Sequence, residues 1–257
     1  MTAAPVFVSL GDSFASGEGV GLRTPPPQTW AGLLAESAGA RFVALARGGA
    51  PAGTVLRDQL PMALALDPDV ACVCVGLNDL FRTGGARGNT SAAVIGLLQR
   101  LRDAGTVVAV GRLHDPTRLV RFPARLERVV RAHVDSINAA LDDLAADPAV
   151  VLVDMSVLLD RPECWAVDRV HPSAHGHRVL AAEAARRLAL PHVKVGPAPH
   201  APTTAASWRW FAVHGVPWLA RRLPELATSE PLRRRVLAAV GGGSAGAGRQ
   251  ARAKKAV

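Results

Sequence analysis

Apolar runs rich in valine alternate along most of the chain with segments whose apolar residues recur at helical spacing. The run from Val70 to Val75 has no polar alternation, which is typical of a parallel strand buried on both faces. Five strands are predicted, over residues 6–10, 41–46, 69–75, 106–111 and 149–154. Helices are predicted between them, over residues 30–37, 54–66, 91–102, 124–144 and 173–190.

Strands that alternate with helices predict a parallel sheet covered by helices on both sides. The expected fold class is α/β, a three-layer α/β/α sandwich of flavodoxin-like type with a five-stranded parallel sheet. The longest helix, over 124–144, carries its apolar residues on one broad stripe that runs from Leu126 to Leu144. This helix is therefore predicted to be amphipathic.

Composition predicts three parts along the chain. Residues 1–190 form the domain just described, and residues 191–202, with four prolines, are typical of a linker. Residues 203–257 form a basic extension containing Trp and Arg, with short helices predicted over 208–223 and 232–240. The Gly/Ala/basic composition of residues 241–257 predicts disorder at the end.

The net charge of +9 lies almost entirely in the extension, which holds ten Lys/Arg and two acidic residues. Three interpretations stay open for it: a helix lying on an anionic membrane surface, a nucleic-acid contact, and packing on the body, where it could line a substrate pocket. Nucleic acid is the less favoured partner because no binding motif is present. The sequence does not indicate an oligomeric state.

The remaining bulk features concern location. No run of 18 apolar residues is present, so a membrane span is not expected. Residues 1–5 lead directly into the first predicted strand without a basic and apolar leader, which favours a cytoplasmic protein, peripheral to a membrane if the extension docks there.

Candidate chemistry lies in two distant segments. Ser13 follows the first predicted strand, and Asp168 and His171 lie close together near the end of the domain. A serine hydroxyl is a poor nucleophile unless a histidine base, held by a carboxylate, removes its proton. In open parallel sheets, sites lie beyond the carboxyl ends of the strands, so the residues that follow successive strands are expected to converge.

Four short blocks in this order resemble those of the SGNH hydrolase superfamily, also called GDSL-type esterases and lipases. They are residues 11–18, 46–50, 76–79 and 168–172, with Phe14 in place of the leucine of the family name. The resemblance covers residues 5–190. It implies that Ser13 is the nucleophile, His171 the base, and Asp168 the group that orients the imidazole.

The same resemblance implies an oxyanion hole. Its donors would be the backbone N–H groups of Ser13 and Gly49 and the side-chain amide of Asn78, with Gly48 as the alternative to Gly49. Asp12, Gly76 and Asp79 are expected to support the site by organising these loops.

The implied reaction is hydrolysis of a small-molecule or lipid carboxylic ester through an acyl-enzyme, with no cofactor and no metal. A zinc site at His171, His175 and His177 is disfavoured because Pro172 interrupts helical spacing after His171. An acyltransferase or deacetylase on the same site, and a non-catalytic membrane-docking scaffold, are the alternatives. Acyl chain length and the alcohol of the substrate are not readable from the sequence.

Overall fold

A computed structural model of the chain describes residues 3–19, 21–81, 90–120, 124–158, 161–217 and 220. The predicted helix over 232–240 and the Gly/Ala-rich end over 241–257 lie outside these residues, as does most of 218–223.

Seven strands are present in the described residues: β1 (Val6–Gly11), β2 (Glu18–Gly19), β3 (Leu22–Arg23), β4 (Arg41–Ala44), β5 (Val70–Cys74), β6 (Val107–Arg112) and β7 (Val150–Asp154). Five of them form one parallel sheet in the order β4-β1-β5-β6-β7. The five predicted strands and the flavodoxin-like sheet are therefore confirmed. The two short strands β2 and β3 pair antiparallel as a hairpin that the sequence pattern did not predict.

The helices are α1 (Ser13–Ser16), α2 (Trp30–Ser37), α3 (Ala52–Thr54), α4 (Leu60–Leu64), α5 (Thr90–Asp103), α6 (Ala124–Leu144), α7 (Ala174–Arg187) and α8 (Thr204–Trp210). Helices α2 and α7 pack against each other, whereas α5 packs against α3, α4 and α6. The result is the predicted three-layer arrangement with helices on both faces of the sheet. No helix in the described parts of the chain is long and apolar enough to cross a membrane.

Several predicted boundaries were wrong. The strand predicted over 41–46 ends at Ala44, although the N–H groups of Leu45 and Arg47 still donate to β1. The last helix of the domain ends at Arg187 rather than at Leu190, because Ala189 adopts a left-handed backbone conformation with φ of 53°. Leu126, predicted on the apolar stripe of α6, is 38% exposed.

The chain beyond α7 contacts the body. Residues 191–202 have no regular structure, but Val193 is buried in the hydrophobic core. The helix predicted to start at Trp208 begins at Thr204, where the Thr203 hydroxyl accepts a hydrogen bond from the N–H of Ala206. A π-helical turn, Phe211–Gly215, continues α8.

A second π-helical turn, Val55–Gln59, joins α3 to α4, so the helix predicted over 54–66 begins earlier and is irregular. The turn places the Gln59 side chain at the end of β1. The Gln59 carboxamide accepts a hydrogen bond from the N–H of Gly11 at 2.8 Å and donates to the carbonyl of Gly11 at 2.9 Å. One buried side chain thereby bonds both backbone groups of Gly11, whose carbonyl also accepts from the N–H of Arg47 at 3.1 Å.

We expect Gln59→Met to destabilise the protein by about 1–3 kcal/mol, because the buried N–H of Gly11 loses its acceptor while the side-chain volume is kept. The carbonyl of Gly11 still accepts from the N–H of Arg47. Gln99→Met, at an exposed position on α5, is the matched control and should change stability by less than about 0.5 kcal/mol. Urea unfolding of both variants measures the difference. Equal stabilities of the two variants would contradict the role given to Gln59.

Candidate active site

Ser13, His171 and Asp168 form one chain of hydrogen bonds. Ser13 is the first residue of α1 and is separated from β1 by Asp12 alone, and the other two residues lie in the loop before α7. The Ser13 Oγ lies 2.8 Å from His171 Nε2, and His171 Nδ1 lies 2.6 Å from Asp168 Oδ2. A carboxylate only accepts, so Nδ1 carries the proton and Nε2 is left to accept from the serine hydroxyl.

Asp168 is held in its ionised form. Its Oδ1 accepts hydrogen bonds from the backbone N–H groups of Val170 and His171 at 2.9 and 3.0 Å. Burial alone would raise the pKa of Asp168, but the hydrogen bonds from the side chain and backbone of His171 and from Val170 outweigh it and hold the pKa below its ordinary value. The carboxylate can therefore both orient the imidazole and stabilise its protonated form.

Asp12 connects the first block to the third. This buried residue caps α1 by accepting from the N–H of Phe14, and its Oδ2 accepts from the Nδ2 of Asn78 at 3.0 Å. This hydrogen bond uses one hydrogen of the Asn78 amide and thereby fixes the orientation of the amide group. Burial raises the pKa of Asp12 to about 6, although the hydrogen bonds from Phe14 and Asn78 and the charge of His171 lower it.

Two glycines allow the strand ends to approach each other. Gly11, with φ of 130°, lies opposite Cys74, and a Cβ there would be 1.8 Å from the Cys74 carbonyl oxygen. Gly76, with φ of 131°, turns the chain after β5, and its carbonyl lies 2.8 Å from His133 Nε2 on α6. Neither position accepts a side chain without displacing its neighbours.

Asp79 joins the third block to α3. It is buried, and its carboxylate accepts hydrogen bonds from the N–H of Ala52 at 2.9 Å and from the hydroxyl of Thr90 at 3.4 Å. Burial raises the pKa of Asp79, and these hydrogen bonds partly offset the effect. The contacts are those of a loop-organising residue.

The second block lies beside a cavity. The N–H of Gly48 donates to Glu18 Oε2 at 3.0 Å, and Gly49 follows with φ of 75°. The cavity has a volume of about 390 Å³ and is lined by Arg47, Gly48, Gly49, Ala50, Pro51, Thr54, Asp58, Gln59 and Met62. Such a volume can hold a small organic group.

Glu18, Gln59 and His133 contribute to these loops and were missed by the reasoning from sequence. Each side chain bonds the backbone of a block that lies far away along the chain. Glu18 bonds Gly48, Gln59 bonds Gly11 and His133 bonds Gly76. No local pattern marks such a residue, because its partner is set by the packing of the loops.

Two of the histidines considered for a zinc site, His175 and His177, are buried side chains of α7. His177 is buried and its Nδ1 accepts from the N–H of Trp30 at 3.3 Å; burial lowers the pKa of His177 to about 3, which keeps it neutral. His175 is buried at the start of α7. The described residues contain no cluster of three or more His, Cys, Asp or Glu side chains suited to a metal ion.

The family model described as the GDSL-like Lipase/Acylhydrolase family matches residues 9–179. The chain belongs to this family. GDSL-like proteins of this kind are carboxylic ester hydrolases, and the predicted relationship is confirmed. No curated protein sequence matches the chain significantly.

Solved structures share the GDSL-type fold at low sequence identity. A lipolytic protein of the G-D-S-L family from Desulfitobacterium hafniense has a TM-score of 0.57 at 14% identity over 71% of this chain and 98% of its own. A psychrotrophic esterase from Pseudoalteromonas has a TM-score of 0.53 at 15% identity, over 72% of this chain and 96% of its own. An acetylxylan esterase from Geobacillus stearothermophilus has a TM-score of 0.55 at 18% identity, over 74% of this chain and 96% of its own. At these identities the likeness concerns the fold.

The raised pKa of Asp12 predicts a pH dependence of stability. Between pH 4 and 6 the folded protein keeps a proton on Asp12 that the unfolded chain releases, so stability falls as pH rises through this range. Asp12→Asn removes this contribution, so its stability relative to the wild type should increase by about 2 kcal/mol from pH 4 to pH 7. Urea unfolding at both pH values measures it, with Asp143→Asn on the exposed side of α6 as the baseline. A stability difference between Asp12→Asn and the wild type that is the same at both pH values would contradict the raised pKa of Asp12.

Proposed function

We propose that this GDSL-type protein hydrolyses carboxylic esters through an acyl-enzyme on Ser13. The observation that supports the proposal most directly is the continuous hydrogen-bond chain from Asp168 through His171 to the Ser13 hydroxyl, with heavy-atom distances of 2.6 and 2.8 Å. This order of carboxylate, imidazole and hydroxyl is the one required to activate a serine.

In the acylation step, His171 Nε2 takes the proton of Ser13 as its Oγ attacks the ester carbonyl carbon. Asp168 holds the Nδ1 proton and stabilises the imidazolium that forms. The imidazolium then gives its proton to the departing alcohol, which leaves an acyl group on Ser13. In deacylation, His171 takes a proton from water, the water oxygen attacks the acyl carbon, and Ser13 regains its proton as the acid leaves.

The carbonyl oxygen becomes negative in both steps and needs donors placed in advance. We assign this role to the backbone N–H groups of Ser13 and Gly49 and to the side chain of Asn78. Asn78 gives one amide hydrogen to Asp12, and the second is the one assigned to the oxyanion. Gly49 is the assigned backbone donor of the second block and Gly48 the alternative; the N–H of Gly48 donates to Glu18.

The cavity beside Gly49 is the space we assign to one arm of the substrate. It adjoins a proposed oxyanion donor, so a group bound there stays close to the reacting carbonyl. Ala50, Pro51 and Met62 supply apolar surface, and Arg47 a positive charge. A small-molecule or lipid ester fits these features.

Ser13 should react with a fluorophosphonate probe, and Ser13→Ala should not. Ser16→Ala is the matched control, because Ser16 lies in the same block but outside the hydrogen-bond chain and should still label. Gel fluorescence or intact mass reads out the labelling. The Pseudoalteromonas esterase was solved inhibited by monoethylphosphonate. A wild-type chain that does not label, or a Ser13→Ala chain that labels equally, would refute the acyl-enzyme mechanism.

Asn78→Ala should lower kcat for p-nitrophenyl esters by about 10²–10³ with little change in KM, because the lost donor acts on the transition state more than on the bound ester. Steady-state kinetics on a short-chain ester measures both constants. A kcat within threefold of the wild type would remove Asn78 from the oxyanion hole and leave the serine chemistry standing.

A further inference from the structure

The C-terminal helical segment formed by α8 and the π-helical turn has two unlike sides. Ser207, Trp210 and His214 are partly covered, and Gly215 is buried. The other side carries what we call the docking face: Trp208, Phe211, Val213 and Val216, with exposed fractions of 65, 42, 57 and 48%. These are four of the seven exposed large hydrophobic residues in the described chain, gathered on one short segment. Such a cluster on a surface marks an interaction site.

The covered side attaches this segment to the triad. Arg169, between Asp168 and His171 in the chain, donates from Nε to the Ser207 hydroxyl at 3.2 Å and from Nη2 to the Pro202 carbonyl at 3.4 Å. Its backbone has a φ of 57°, a conformation that is uncommon for a side-chain-bearing residue.

The β2–β3 hairpin makes a second connection between the segment and the triad. A Cβ built on Gly21 would lie 2.8 Å from the His214 ring, and one built on Gly19 would lie 3.1 Å from His171 Nδ1. The hairpin therefore lies between the segment and the catalytic histidine. The docking face is therefore carried by an element that contacts Arg169 and the hairpin, both of which lie beside the triad.

Charge indicates what the docking face contacts. Residues 203–257 hold ten Lys/Arg and two acidic residues, whereas residues 1–202 hold twenty Lys/Arg and nineteen acidic residues. Within α8 and the π-helical turn, Arg209 is the one charged residue and no acid is present. Exposed Trp and Phe in a stretch of sequence with an excess of cations are the features that bind the interfacial region of an anionic bilayer.

We propose that the docking face binds an anionic lipid surface and places the triad beside it. This surface contact goes beyond ester hydrolysis and does not depend on it. The family match ends at residue 179, so the segment lies outside the part of the chain shared with the family. A nucleic acid would use the cations but has no need of the exposed valines, and a second copy of the chain would have no need of the charge.

The test uses the full-length Ser13→Ala chain, so that binding is measured without turnover. Sedimentation with vesicles of phosphatidylcholine and phosphatidylglycerol should recover the protein in the pellet, and vesicles of phosphatidylcholine alone should recover at least tenfold less. Raising the salt from 50 to 500 mM should weaken the binding, because screening reduces the attraction of the basic extension.

Trp208→Ala/Phe211→Ala should lower the partition coefficient on the anionic vesicles at least tenfold. Leu126→Ala/Val157→Ala removes two exposed apolar side chains elsewhere and should leave it unchanged. With Ser13 restored, neither double variant should alter hydrolysis of a soluble ester or the midpoint of thermal unfolding. These readouts separate loss of docking from loss of folding.

Four outcomes would overturn the proposal. They are no binding to anionic vesicles, equal binding by the Trp208/Phe211 variant, equal binding to neutral vesicles, and a dimer in light scattering that this variant dissociates. Binding to duplex DNA in place of vesicles would assign the extension to nucleic acid. A protein that docks but does not turn over esters would refute only the proposed hydrolysis.

Discussion

At Gly11, strand β1 approaches β5 so closely that the carbonyl of Cys74 occupies the place where a side chain would begin. The rest of the site depends on this contact. It occurs between the two strands where the order of the sheet reverses, which is where open α/β sheets leave a crevice at their carboxyl ends. The residues that follow each strand, Ser13 after β1 and Asn78 after β5, consequently lie side by side, and Asp12 bonds directly to Asn78.

Buried polar side chains then fix the loops at this crevice. Gln59 satisfies both backbone groups of Gly11, Asp79 accepts from the start of α3, and His133 reaches the carbonyl of Gly76 from α6. A buried backbone group without a partner is costly, so each bond strongly favours one arrangement of its loop. The loops that follow β1 and β5 are therefore held in one arrangement before any substrate binds.

The extension is tied into the same framework from outside the family domain. The solved relatives are covered over nearly their whole lengths, 96% or more, while they cover about three quarters of this chain. The family match ends at residue 179, so the residues beyond α7 lie outside it. Through Arg169 its helix bonds the turn that holds Asp168 and His171, so a contact made by the extension is made next to the catalytic edge.

The sequence by itself determined the periodic elements and the short blocks. Helices α2 and α6 have the predicted bounds, and the five strands of the parallel sheet were found because their apolar patterns extend over neighbouring residues. The blocks containing Ser13, Asn78 and His171 were found because each is local in the chain. Only the tertiary structure decided which distant groups meet, as when Glu18 bonds Gly48 and Arg169 bonds Ser207. A polar side chain carries no local signal of its partner, because that choice depends on which loops the packed sheet brings within hydrogen-bond distance.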